Sequence, residues 1–184
     1  MTRRAFTHAL LLTASLLLAG CVQSEGPILS DSAQPFGAAV KLRLYGLSKG
    51  FARDPQSVSF RWNGHYYARA GGGLRDVSGF TIHPFEGDDF IVQTVPAKPR
   101  SPTEFAIAHR LAEGTWQVVP IDEADADAPT RDAYCKSNKG ACILETRQQL
   151  LAFARATAAQ QKADGGLAIR LPDAADHTPQ RRKR

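Results

Sequence analysis

Asn63-Gly64 sits between two runs rich in aromatic and β-branched residues, Val58-Ser59-Phe60-Arg61-Trp62 and His65-Tyr66-Tyr67-Ala68-Arg69. Asn-Gly accepts the positive φ angles of a type I′ turn, whose twist matches the strands it joins, so a β-hairpin with a two-residue loop is predicted here. That register sets Trp62 against His65 and Phe60 against Tyr67. It also puts Val58, Phe60, Trp62 and Tyr67 on one face, the core side. Two similar units follow: Phe80-Thr81-Ile82-His83-Pro84 with Phe90-Ile91-Val92-Gln93-Thr94 around Glu86-Gly87-Asp88, then residues 105–111 with 116–121 around Glu113-Gly114. Ahead of them, Val40, Leu42 and Leu44 alternate with Lys41, Arg43 and Tyr45, the period of a half-buried strand. Hairpins at such spacing predict an antiparallel meander of about six to eight strands that closes as a barrel or folds as a sandwich.

The fold class expected is therefore α+β, dominated by antiparallel sheet, with one C-terminal helix packed on it. Thr146 with Gln149 three residues on forms a capping box, and Leu150, Leu151, Phe153, Ala154 and Ala158 make an apolar stripe that Gly165-Gly166 can end. A last strand, Leu167-Ala168-Ile169-Arg170-Leu171, stops at Pro172. Between the second and third hairpins, Pro96-Ala97-Lys98-Pro99-Arg100-Ser101-Pro102 favours extended polyproline conformation and reads as a stiff crossover. The carboxylates of Asp122-Glu123-Ala124-Asp125-Ala126-Asp127 lack the spacing of a calcium loop. They suit the positive end of a short helix near residues 129–134.

The start of the chain is of another kind. Arg3-Arg4 precede about eleven apolar or small residues, too few to span a bilayer, and the run ends in Leu18-Ala19-Gly20-Cys21. A basic start, a short apolar stretch and a small-residue cleavage site make a secretory signal. With Cys at the site, the pattern closely resembles the lipobox of bacterial lipoprotein precursors. The resemblance covers residues 1–21. It implies that residues 1–20 are removed as a signal peptide and that Cys21 is acylated on sulfur and on its new amino terminus. A residue other than Asp after the cysteine, here Val22, implies carriage to the outer membrane in Gram-negative relatives. Two lipid signals already give stable attachment, each buried methylene contributing roughly 0.8 kcal/mol.

Removing residues 1–20 of the 184 leaves one domain's worth of chain. Residues 21–38, mostly Ser, Gln, Gly, Pro and Asp, read as a flexible tether, residues 39–172 as a single globular domain, and residues 173–184 as a disordered tail. The formal charge of +5 misleads: the leader and Arg181-Arg182-Lys183-Arg184 hold six of the 23 Lys and Arg, and the remainder roughly balances 18 Asp and Glu. The domain thus carries no footprint for nucleic acid. The terminal Arg181, Arg182, Lys183 and Arg184 read first as a solvated end of that tail, with contact to anionic lipid headgroups as the alternative. Cys135 and Cys142 remain as a pair in an oxidising envelope compartment and are expected to form a disulfide, which contributes roughly 2.5 kcal/mol in the chain-entropy model.

No H-E-x-x-H and no G-x-S-x-G occurs, and neither cysteine lies in a Ser-His-Gly-Cys context. Gly71-Gly72-Gly73 lacks the Gly-Lys-Ser/Thr of a phosphate loop and reads as a connection. His65, His83 and His109 fall in predicted strands, where convergence decides whether they act together. No catalytic residue, metal ligand or cofactor site is assigned. Gly114-Thr115-Trp116 is similar to the Gly-x-Trp of lipocalins, which bind small apolar ligands inside an antiparallel barrel. Two roles follow: a lipid-anchored, non-catalytic envelope protein that binds another envelope component, and a lipocalin-like carrier of a small apolar ligand. An envelope hydrolase ranks third.

Overall fold

The computed structural model describes residues 21–45, 47–48, 51–52, 56–71, 77–138, 141–158 and 166–171. β1 (Gln23–Ser24) and β2 (Ala39–Tyr45) precede a small ribbon, β3 (Leu47–Ser48) with β4 (Phe51–Ala52). Then come β5 (Gln56–Trp62), β6 (Tyr67–Ala70), β7 (Val77–Pro84), β8 (Phe90–Pro96), β9 (Thr103–Ala112) and β10 (Thr115–Pro120). A 3₁₀ turn (Glu123–Asp125), helix α1 (Ala128–Tyr134), the ribbon β11 (Lys136–Asn138) and β12 (Ala141–Ile143), helix α2 (Arg147–Ala158) and β13 (Gly166–Leu171) follow.

β2 and β5 to β10 form the expected meander, each strand antiparallel to the next. β13 then inserts between β10 and β2, pairing Ala168 with Trp116 on one side and with Leu44 on the other. This closes an eight-stranded antiparallel barrel. Such a barrel is just wide enough to be filled by side chains or to hold one small ligand. β6 and β7 touch through only Tyr67–Phe80 and Ala68–Gly79. Gly79 permits that crossing, because a Cβ there would collide with the Tyr67 carbonyl oxygen.

Two apolar clusters lie on opposite sides of the barrel wall. Inside are Val40, Leu42, Val58, Phe60, Tyr67 and Ile82. Outside, Ile91, Phe105 and Ile107 of β8 and β9 are covered by Leu150, Phe153 and Ala154 of α2 and by Val22, Leu29 and Leu144. The capping box holds as expected: Gln149 N–H donates to Thr146 Oγ1 at 3.2 Å and Thr146 N–H to Gln149 Oε1 at 3.1 Å. Asp122 caps the 3₁₀ turn through Ala124 N–H and Asp127 caps α1 through Thr130 N–H, both at 2.8 Å. Hydrogen bonding from the Thr130 side chain, and then from its backbone N–H, holds the Asp127 carboxyl below its ordinary pKa. Cys135 and Cys142 are joined by a disulfide that fastens the end of α1 to β12. The stop assigned to Gly165-Gly166 falls on residues outside those described, apart from Gly166, which opens β13.

Three expectations need correction. The Asn63-Gly64 loop has four residues, not two, since Trp62 pairs with Tyr67 and Phe60 with Arg69. Asn63 Oδ1 accepts from both His65 N–H and Tyr66 N–H at 3.0 Å, which widens the turn, while Gly64 still supplies a φ of 99°. The slip is two residues, so parity survives and Val58, Phe60 and Tyr67 keep the inner face. Secondly, the Pro96–Pro102 stretch is a turn between neighbours β8 and β9, with Arg100 at φ 65° and Ser101 N–H bonded to Lys98 O at 3.3 Å. Thirdly, residues 21–38 are built into the fold and are no free tether. Val22 is fully buried, Gln23 and Ser24 pair with Glu104 and Thr103 of β9, and Gln23 also pairs with Ile143 of β12.

Gln93 explains the docking of the next stretch. On the outer face of β8 and 1% exposed, its Oε1 accepts from Ile28 N–H and Leu29 N–H, each at 3.0 Å. Its Nε2 donates to Leu29 O and to Thr81 Oγ1. One buried amide thus satisfies the backbone of a segment with no ladder of its own, as burial demands.

Candidate functional site

The barrel interior holds a cavity of about 240 Å³ bordered by residues of all its strands except β6. Phe36, just before β2, closes one end. Its ring packs edge-on against Trp116 at 4.9 Å between centroids and lies 5.7 Å from Tyr67. Tyr67 fixes this plug: its hydroxyl accepts from Phe36 N–H and donates to Gly37 O, both at 3.1 Å. Burial pushes the phenol pKa up against the opposing pull of the Phe36 N–H and of Arg170, so the donor proton is kept. Phe60, Phe80, Ile82 and Phe90 form apolar wall, and the lining reaches Leu44, Val77 and Thr94 at the other end.

Two of the side chains that line this space carry a polar group, Thr94 and Trp116. The Thr94 hydroxyl accepts from Glu104 N–H at 2.9 Å and lies 3.3 Å from Glu104 O. Among the described residues, two buried side-chain nitrogens have no hydrogen-bond partner: Trp116 Nε1 and Arg69 Nη1. Trp116 lines the cavity. Arg69 stands directly opposite Phe60 in the β5–β6 ladder and two residues beyond Tyr67, hence on the same inner face. The alternation Tyr67, Arg69 was readable in the sequence, where a charge on the core side is the anomaly to notice. The missing partner was not.

Among the described residues, His65, His83 and His109 do not converge. His65 is exposed in the β5–β6 turn. His83 is 5% exposed on the outer side, with Nδ1 2.9 Å from Asp31 O and Nε2 2.8 Å from Thr81 Oγ1. A carbonyl only accepts, so Nδ1 carries the proton, and burial lowers the pKa and keeps the ring neutral. His109 pairs with Asp89 at 2.7 Å near the Phe90 end of β8.

Cys21 carries a free, half-buried thiol, and its backbone bridges to Asp122 beside the start of β9. Burial, then the carboxylates of Glu104 and Asp122, push its pKa up, which disfavours the thiolate. The leader, residues 1–20, and the terminal Arg181 to Arg184 lie outside the described residues. No family model matches the chain, and neither a curated protein nor a solved structure shows significant similarity to it.

Proposed function

We propose that this is a lipid-anchored envelope protein whose barrel holds a small apolar ligand. The cavity carries the reading. An apolar cavity of roughly 150 Å³ admits benzene, so about 240 Å³ has room for on the order of ten carbon atoms. The competing role, an adaptor that binds another envelope protein, finds less support. A closed barrel offers few free strand edges, and among the described residues Leu111 is the one exposed large hydrophobic side chain.

Naphthalene, with ten carbons, tests the cavity. It should quench tryptophan fluorescence saturably, since Trp116 borders the space. Ala108→Phe, which fills the lining from β9, should weaken binding at least about tenfold with the circular dichroism unchanged. Absence of saturable binding by the parent protein would sink the ligand reading.

The anchor is Cys21, with residues 1–20 as its signal. Its raised pKa makes the thiol a poor nucleophile in the folded protein, consistent with acylation by an enzyme before folding. Because Val22 is buried, acyl chains on Cys21 leave the barrel with no slack, beside the start of β9 and the end of β10. Cys21→Ala should abolish acyl labelling and release the protein from envelope membranes. Retention of label by the variant would refute the anchor.

A further inference from the structure

We propose that the ligand of the barrel is a single-chain anionic amphiphile, a medium-chain carboxylate whose head group accepts from Arg69. The inference rests on the ligand reading above and adds the chemistry of the head. Both unsatisfied nitrogens on the inner face, Arg69 Nη1 and Trp116 Nε1, are donors. Guanidinium and indole N–H have no acceptor capacity, so what the inner face lacks, at Trp116 on the cavity lining and at Arg69 beside the lining residue Phe60, is an acceptor. The guanidinium is a cation, and among the described residues no carboxylate pairs with it. An anion is thereby favoured over a neutral acceptor, and a cation is disfavoured.

The rest of the lining sets the other half of the molecule. Phe60, opposite Arg69, borders a space whose remaining walls are apolar and whose one lining hydroxyl, Thr94, is committed to the backbone. A volume of about 240 Å³ takes one chain on the order of ten carbons and excludes a two-chain lipid. The Trp116 N–H is a second, neutral donor for any carbonyl or ether oxygen deeper in the barrel.

Residues 21–184 carrying Cys21→Ser contain every described element and bear no acyl chain. Titrating them with decanoate, 1-decanol and decyltrimethylammonium at matched ionic strength separates the claims. Decanoate should bind more tightly than decanol by roughly tenfold to a hundredfold, the range of a hydrogen bond to a charged group, and the ammonium amphiphile most weakly. Arg69→Gln should leave decanol binding in place and reduce the preference for decanoate to less than about threefold. Equal binding of decanoate and decanol by the unsubstituted residue 69 overturns the head-group assignment while the cavity reading stands. Comparable binding of the ammonium amphiphile overturns it as well. Binding of none of the three overturns both. The comparison of heads on the parent sequence decides the matter even if Arg69→Gln fails to fold.

Discussion

Gln93→Leu is expected to lower stability by about 3–5 kcal/mol, although leucine is apolar and of similar size. The substitution removes four hydrogen bonds at once and leaves Ile28 N–H, Leu29 N–H and Leu29 O without the amide that satisfies them. Each buried polar group stranded this way costs about 1–3 kcal/mol, reduced where the segment lifts away to find water. Thermal unfolding should show a midpoint lower by about 10 °C. Loss of less than about 1 kcal/mol would mean that residues 28–31 are held by something other than Gln93. The same network makes stability depend on pH through His83, which bonds Thr81 Oγ1 and Asp31 O. Its pKa in the folded protein lies below the ordinary 6.5, so the unfolded chain binds the proton more readily. The contribution is complete above about pH 6.5 and is lost as the pH falls below it. His83→Gln should flatten that acid limb.

Phe153→Ala should cost about 3–5 kcal/mol through the loss of a large side chain from a site with no exposure. Phe153 anchors α2 on the outer face of β8 and β9, in the cluster with Ile91, Phe105 and Ile107. The barrel cavity lies on the other side of the same wall, lined by Val92 and Ala108 of those strands. The variant should therefore bind naphthalene with unchanged affinity at temperatures where it is folded. A parallel loss of binding and stability would show that the two clusters act as one.

Much of the barrel was legible because its strands are joined to their neighbours by short turns. Period-two alternation marked β2, and the hairpins β7–β8 and β9–β10 fell where Glu86-Gly87-Asp88 and Glu113-Gly114 break the pattern. The first hairpin was placed correctly, yet its register was off by two residues. Asn-Gly specifies positive φ, whereas the count of loop residues was settled by where the Asn63 side chain found its donors. The composition of residues 21–38 suggested a tether because their apolar side chains are scattered among Ser, Gln, Gly, Pro and Asp without a period, and the bond acceptor that docks them, Gln93, is more than sixty residues away in sequence. Polar content alone does not reveal a backbone satisfied by a distant amide.

What the sequence determined by itself was local: strands from alternation, α2 from the Thr146–Gln149 box and its stripe, the short helix α1 after the carboxylates of residues 122–127, and the inner-face parity of Val58, Phe60 and Tyr67. Each follows from backbone geometry within a few residues, where the period is 2.0 or 3.6. Closure was decided only in three dimensions. β13 meets β2 across more than a hundred residues, as in Ala168 against Leu44, and whether the sheet curls far enough to bring them together depends on twist accumulated over all eight strands. The same holds for the site: only the packed barrel shows that, among the described residues, nothing accepts from Arg69 Nη1 or Trp116 Nε1.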